Sequence, residues 1–238
     1  MMTAAGVQGR VILVTGAGGG LGGQLVRQLA AAGAVVVASG RHLRRLEQLH
    51  AAVCSAGNWC ELYPMDLAGA QPQDLEHCIQ TIVQAHGRLD ALIHCAADFP
   101  GLTPLEHQDP GRLAQTLHVN LTARIWLSQA ALPVLSQFKG AIVLVHDLPG
   151  REAVAYWGGY GIAQQAHPGL VRMLQAELAG RVTVIGHVPL PMPTALRARA
   201  YTHQVEQISS TALEAQRCLS ALQGVWEQEI SFQLPVEV

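Results

Sequence analysis

Lysine is almost missing from this chain: a single residue, Lys139, stands against fourteen arginines. Charge of either sign is scarce too, at 13% of 238 residues, with a formal net charge of -2. No basic cluster is denser than Arg41 to Arg45, so the electrostatic footprint of a nucleic-acid or membrane-surface protein is lacking. Long apolar runs are also lacking: Gly, Gln or Arg interrupts each one well before the ~20 residues that would cross a bilayer. The opening MMTAAGVQGR has no charged stretch followed by an apolar one, and no secretory signal is read there. The five cysteines, Cys54, Cys60, Cys78, Cys95 and Cys218, are odd in number and show no CxxC spacing. They read as buried free thiols in a reducing compartment, and a cytoplasmic location is expected. Eleven histidines show neither HxxxH nor HxH spacing, so no metal site is expected.

Half of the residues are apolar, enough for one substantial core. Short β-branched runs alternate with segments of helical period. Strands are expected at Val11–Val14, Val35–Ser39, Glu61–Met65, Ala91–His94, Ala141–His146, Val182–Val188 and Glu229–Gln233. Helices are expected at Leu21–Ala32, Leu43–Ser55, Asp74–His86, Pro110–Phe138, Gly159–Ala179 and Ser209–Leu222. Right-handed crossovers between consecutive strands imply an α/β fold, a doubly wound parallel sheet of about seven strands with helices on both faces. Runs such as VILV and AIVLV, apolar at consecutive positions, suit strands buried on both sides. With no repeat, low-complexity tract or linker, residues 1–238 read as one domain.

The first strand runs into Thr15-Gly16-Ala17-Gly18-Gly19-Gly20-Leu21-Gly22. Small residues there permit a sharp turn, close backbone approach to a pyrophosphate, and tight packing of the next helix on the strand. The helix N-terminus then offers N–H groups and a positive dipole end to the phosphates. A glycine run alone is a weak signal; between strand and helix at the head of a β-α series it points to a Rossmann-type dinucleotide site.

Thr-Gly-x-x-x-Gly-x-Gly at Thr15–Gly22 resembles the short-chain dehydrogenase/reductase family, and the similarity runs along the whole chain. Asp66-Leu67 stands where that family contacts the adenine. His94-Cys95-Ala96-Ala97 stands in place of its Asn-Asn-Ala-Gly. Asn120 matches its helix asparagine, Tyr160 the tyrosine of Tyr-x-x-x-Lys, and Pro189 and Thr194 its Pro-Gly-x-x-x-Thr turn. The bacterial oxoacyl-reductase-like members are the most similar. The resemblance implies cofactor contacts from Gly16, Gly18, Gly19, Gly20, Leu21, Gly22, Asp66, Leu67, Ala96, Pro189 and Thr194. It also implies a homodimer or homotetramer through a four-helix bundle of Pro110–Phe138 and Gly159–Ala179, and a substrate lid at 195–209. At the end of the second strand, Ser39-Gly40-Arg41 carries no acid to grip a ribose diol, and Arg41 suits a 2′-phosphate; NADP is favoured over NAD. Arg44 and Arg45 read as the polar face of a helix.

The catalytic pattern departs. In the resembled family a tyrosine gives its proton to the carbonyl oxygen as hydride arrives, a lysine one turn later holds the ribose and lowers the tyrosine's pKa, and a serine binds the substrate oxygen. Here the lysine position is Gln164 and the serine position is Asp147. Losing a cation and gaining a carboxylate both push a phenol's pKa upward, which disfavours proton transfer near neutrality. Lys139 precedes the fifth strand, at the far end of the sheet, and is no replacement. Leu190 replaces a glycine beside the nicotinamide and can crowd the ring. His146 is expected to point away from Asp147, Cys95 to be a small filler, and Tyr156 and Trp157 to wall the substrate pocket.

Three readings stay open on these residues. One is an NADP(H)-dependent oxidoreductase using Tyr160, Asn120, Asp147 and Gln164 in weakened or altered chemistry. Another is a nucleotide-binding pseudoenzyme acting as sensor or partner subunit. The third, a scaffold binding no nucleotide, sits poorly with the kept glycine loop. A small-molecule substrate is expected only if the first holds.

Overall fold

The computed structural model describes residues 6–147, 155–201 and 208–227. Six parallel strands form one sheet: β1 (Val11–Thr15), β2 (Val35–Gly40), β3 (Glu61–Pro64), β4 (Ala91–His94), β5 (Ala141–Val145) and β6 (Thr183–His187). Their order is β3-β2-β1-β4-β5-β6. The expected seventh strand, Glu229–Gln233, lies outside the described residues, as do positions 202–207 of the expected lid.

Helices α1 (Gly20–Ala31), α2 (Leu43–Ser55) and α7 (Thr211–Glu227) bring Leu25, Leu29, Leu46, Leu49, Leu219 and Leu222 onto one face of the sheet. Helices α3 (Pro72–His86), α5 (Ala123–Gln137) and α6 (Gly158–Glu177) cover the other with Leu75, Ile79, Leu127, Leu135 and Leu170. All five positions of β1 are buried, as its unbroken apolar run requires of a strand sandwiched between two helical layers.

The expected single helix over Pro110–Phe138 is three pieces: α4 (Pro110–Leu117), a π-helical turn at His118–Thr122, and α5. Asn120 sits in that turn and explains part of the break. Its Nδ2 donates to the carbonyls of Thr116 and Asp98 at 2.8 and 2.7 Å, taking up an i−4 oxygen that the helix ladder would otherwise use.

The strand order reverses between β1 and β4, which lie side by side with Thr15 opposite His94. Chains leaving their C-terminal ends diverge to opposite faces there, and the resulting crevice is where such sheets bind ligands. At the opposite end buried Asp90 accepts from Val11 N at 2.9 Å and pairs with Arg10 and Arg88, fixing the strand starts.

Candidate functional site

A cavity of about 290 Å³ opens at the C-terminal ends of the strands. Its floor is the turn after β1. Gly16 has a φ of +69°, and a Cβ there would fall 2.5 Å from the amide nitrogen of Ala96. A Cβ on Gly22 would strike the Gly16 carbonyl. Only glycine fits either position, because the turn packs directly on the Ala96 backbone and on itself. Helix α1 starts with Gly19 as its N-cap, has no side-chain cap and no acid in its first turn. Its N–H groups and positive dipole end are left for an anion.

Toward the β2 side the wall is basic: Arg41, His42 and Arg45 all line the cavity. Arg45, exposed on the polar face of α2 as expected, also lines the cavity and packs against Gly18; Arg41 stands just before the helix. Arg41 Nη1 lies 3.8 Å from Asp98, a buried carboxylate that Arg112 and Thr116 hold at 2.8 and 3.1 Å. No acid directly follows β2 in sequence, and the one carboxylate near Arg41 is Asp98.

The far wall carries the expected chemistry in altered form. Tyr160 is buried on α6 against Phe99 and Trp157, with ring centroids 5.1 and 5.7 Å away. Its hydroxyl donates to Asp147 Oδ2 at 3.0 Å. Burial pushes the phenol's pKa well above its ordinary value of 10, the Asp147 carboxylate pushes it further, and Arg124 opposes both. Gln164, one turn beyond Tyr160, is buried, and its Oε1 accepts from the Asp147 backbone N–H at 2.8 Å. The position expected to hold an ammonium thus holds a neutral amide that buttresses the carboxylate.

Several expected residues do meet here: Gly16, Gly18, Gly19, Gly20, Leu21, Gly22, Arg41, Asp147, Tyr160, Gln164, Pro189 and Thr194 all line the cavity. Asp66, Leu67, Ala96 and Asn120 do not. Asp66 caps its own turn by accepting from Ala68 N, and Leu67 is buried in the core under α3. Asn120 is fully buried, and its Oδ1 accepts from Asp98 N at 3.1 Å; its side chain organises the loop after β4. His146 was expected to turn away from Asp147, yet both line the cavity, because the chain leaves the strand after Val145 and the strict alternation ends with it. Trp157 walls the cavity as expected, whereas Tyr156, at φ +75°, is exposed away from it. Cys95 touches the cavity, but burial raises its thiol to about 12, as suits a filler. Among the described residues no His, Cys, Asp and Glu cluster is placed to hold a metal, and no helix is long and apolar enough to cross a membrane.

Arg124 is the residue that sequence reasoning passed over. It lines the cavity while almost wholly buried, and its Nη1 donates to the Val145 carbonyl at 2.7 Å and its Nη2 to the Ala96 carbonyl. The signal was available: an arginine four positions after Asn120, inside an apolar helical stretch. His167 was also missed. It is buried one turn beyond Gln164, 2.9 Å from the Asn120 carbonyl and 3.2 Å from Gln164 Oε1.

Comparison with known proteins agrees with this arrangement. The uncharacterized oxidoreductase YciK of Escherichia coli K12 is 30% identical over 194 residues, covering 81% of this chain and 77% of that protein. A short chain dehydrogenase of Escherichia coli CFT073, solved with NADPH, superposes with a TM-score of 0.86 at 29% identity, with 92% of each chain covered. Another, from Shigella flexneri 2a and solved with NADP, gives a TM-score of 0.83 at 28% identity, again covering 92% of each. The family model described as short chain dehydrogenase matches residues 10–205, from just before the glycine turn to beyond the aromatic wall. By that span, its sheet order and its glycine turn, the chain belongs to the short chain dehydrogenase family.

Proposed function

We propose that this chain binds NADP(H) in the cavity above its glycine turn and is an oxidoreductase by ancestry whose carbonyl/alcohol hydride transfer is weakened. The cavity suits the group: Gly16 and Gly22 let the turn fold tightly against Ala96 and against itself so that its backbone lines the cavity, the α1 terminus is uncapped, and Arg41 and Arg45 supply cations for a 2′-phosphate. Two similar chains were solved with NADP and NADPH, which supports the same reading. When bound, the nicotinamide supplies or accepts the hydride.

The observation that carries the weakened chemistry is the hydrogen bond from Tyr160 to Asp147. A phenol that donates to a carboxylate has no second proton for a substrate oxygen. Tyr160 must break that bond to act as acid, or Asp147 must hold a proton of its own and pass it on through Tyr160. With its pKa raised, Tyr160 is a weak acid toward a carbonyl oxygen and, being protonated at neutral pH, is not available as a base, so proton transfer is slowed in both directions. Asp147 and Gln164 are the residues that set this state; Asn120 acts at a distance, by holding the loop after β4.

A nucleotide-binding protein without turnover is the second reading. What favours it is how fully Asp147, Gln164 and Tyr160 satisfy one another. Calorimetry with NADPH, run beside a turnover assay over a panel of carbonyl compounds, separates the two. Binding with slow turnover that Tyr160→Phe abolishes supports the first reading, and binding without turnover supports the second. Absence of binding sinks both.

A further inference from the structure

A buried guanidinium is costly unless carboxylates or several oxygens surround it. Arg124 is only 2% exposed, yet among the described residues no carboxylate pairs with it. The carbonyls of Val145, at the end of β5, and of Ala96, two residues past β4, take one Nη1–H and one Nη2–H, and Nη1 also lies 3.5 Å from His167 Nε2. Its Nε–H has no acceptor at all. The guanidinium nevertheless forms part of the cavity wall beside Cys95, Val145, Tyr160 and Gln164. A purely structural link between two strand ends would not need a cation, nor a donor left without a partner.

We propose that Arg124 is the cation of the catalytic half of this cavity, supplying from α5 what Gln164 no longer supplies from α6, and that its Nη N–H groups not taken by the Ala96 and Val145 carbonyls bind the hydroxyl oxygens of the nicotinamide ribose. The inference rests on the NADP(H) reading above. Geometry favours the ribose over a free anion because both fixed carbonyls, of Ala96 and Val145, lie at the same guanidinium and would repel a compact anionic group. A neutral polyol accepts from the free N–H groups without that penalty. Burial lowers the guanidinium to about 10, so it is still charged at neutral pH. Its field is also the one influence that draws Tyr160 back down.

The test is calorimetry of NADPH and of 2′,5′-ADP, which carries the 2′-phosphate but no nicotinamide ribose, on the parent protein and on Arg124→Met, Arg124→Gln and Arg124→Lys. A hydrogen bond from a charged group implies that Arg124→Met and Arg124→Gln weaken NADPH by about tenfold or more. Binding of 2′,5′-ADP should stay within about threefold of the parent, and Arg124→Lys should recover part of the NADPH loss. A structural role would move both ligands together, so an unchanged ratio of the two affinities overturns the proposal. Should Arg124→Met not fold, Arg124→Gln and Arg124→Lys are read by the same ratio. If the parent binds neither ligand, the nucleotide reading itself falls, and this inference with it.

Discussion

Replacing Asp147 with serine should make the site a faster reductase. In the parent the Tyr160 hydroxyl donates to Asp147 Oδ2 at 3.0 Å, inside a pocket closed by Phe99 and Trp157. A hydrogen bond to a charged acceptor contributes about 1.5–3 kcal/mol. Breaking it before the phenol can turn to a substrate oxygen adds about that much to the barrier, and each 1.36 kcal/mol is about tenfold in rate. Asp147→Ser should therefore raise kcat for NADPH-dependent carbonyl reduction by about 10- to 150-fold. The substitution leaves the backbone N–H of position 147 on Gln164 Oε1 at 2.8 Å, so the loop keeps its anchor. Adding Gln164→Lys should draw the phenol's pKa down but also removes the acceptor that anchors the position-147 N–H, so its effect on rate is read against NADPH affinity and stability. The assay is NADPH consumption at 340 nm on a substrate the parent reduces slowly, with NADPH affinity followed by calorimetry. An Asp147→Ser variant that binds NADPH normally but turns over no faster, or more slowly, would refute the argument that the carboxylate holds the proton captive.

If the proposed NADP(H) site holds, Arg41→Ala and Arg45→Ala should each weaken NADPH by about five- to tenfold while leaving NADH within about twofold, since both are exposed cations on the cavity wall; competitive titration of the two cofactors checks this. Gly16→Ala should destabilise the fold by about 2–5 kcal/mol, combining a left-handed φ with overpacking against Ala96, and urea unfolding reads it directly. Stability should also fall with acid. His167 is lowered from 6.5 to about 3 by burial and then by Arg124, and His94 is held well below 6.5 by the same causes. The folded chain binds fewer protons than the unfolded chain between those values. Their contribution is full above about pH 6.5 and is lost as pH falls toward 3, by about 1.4 kcal/mol per pH unit for His167 alone. Urea midpoints at pH 7, 6 and 5 measure the slope, and His167→Gln should flatten it.

Most of the fold was legible because the buried strands announce themselves. VILV and AIVLV are apolar at every position, and the ends of α2 and β4 fall where periodicity put them. The glycine turn was legible for a related reason, since Gly16 and Gly22 have no alternative at their backbone geometry. What could not be read was anything that depends on two distant segments meeting. Arg124 matters because the chain after β4 and the end of β5 lie beside it, and Asp98 because Arg41 reaches it from the end of β2 and Arg112 from α4. The π-turn at Asn120 was hidden too, for an amide side chain that captures a helix carbonyl leaves no trace in hydrophobic period. Asp147 and Gln164 could be named as departures from a pattern, but their joining through a backbone N–H is a contact between two distant segments.

The scarcity of lysine turns out to be a practical asset for studying the site. Every cation on the cavity wall is an arginine or histidine, and amine-reactive reagents leave guanidinium and imidazole groups largely alone at neutral pH. Lys139, the one lysine, is exposed in the turn between α5 and β5, at the strand starts rather than the strand ends. A dye or surface tether attached there would sit at the opposite end of the strands from the glycine turn, and ligand binding could be followed on a protein labelled at one internal side chain.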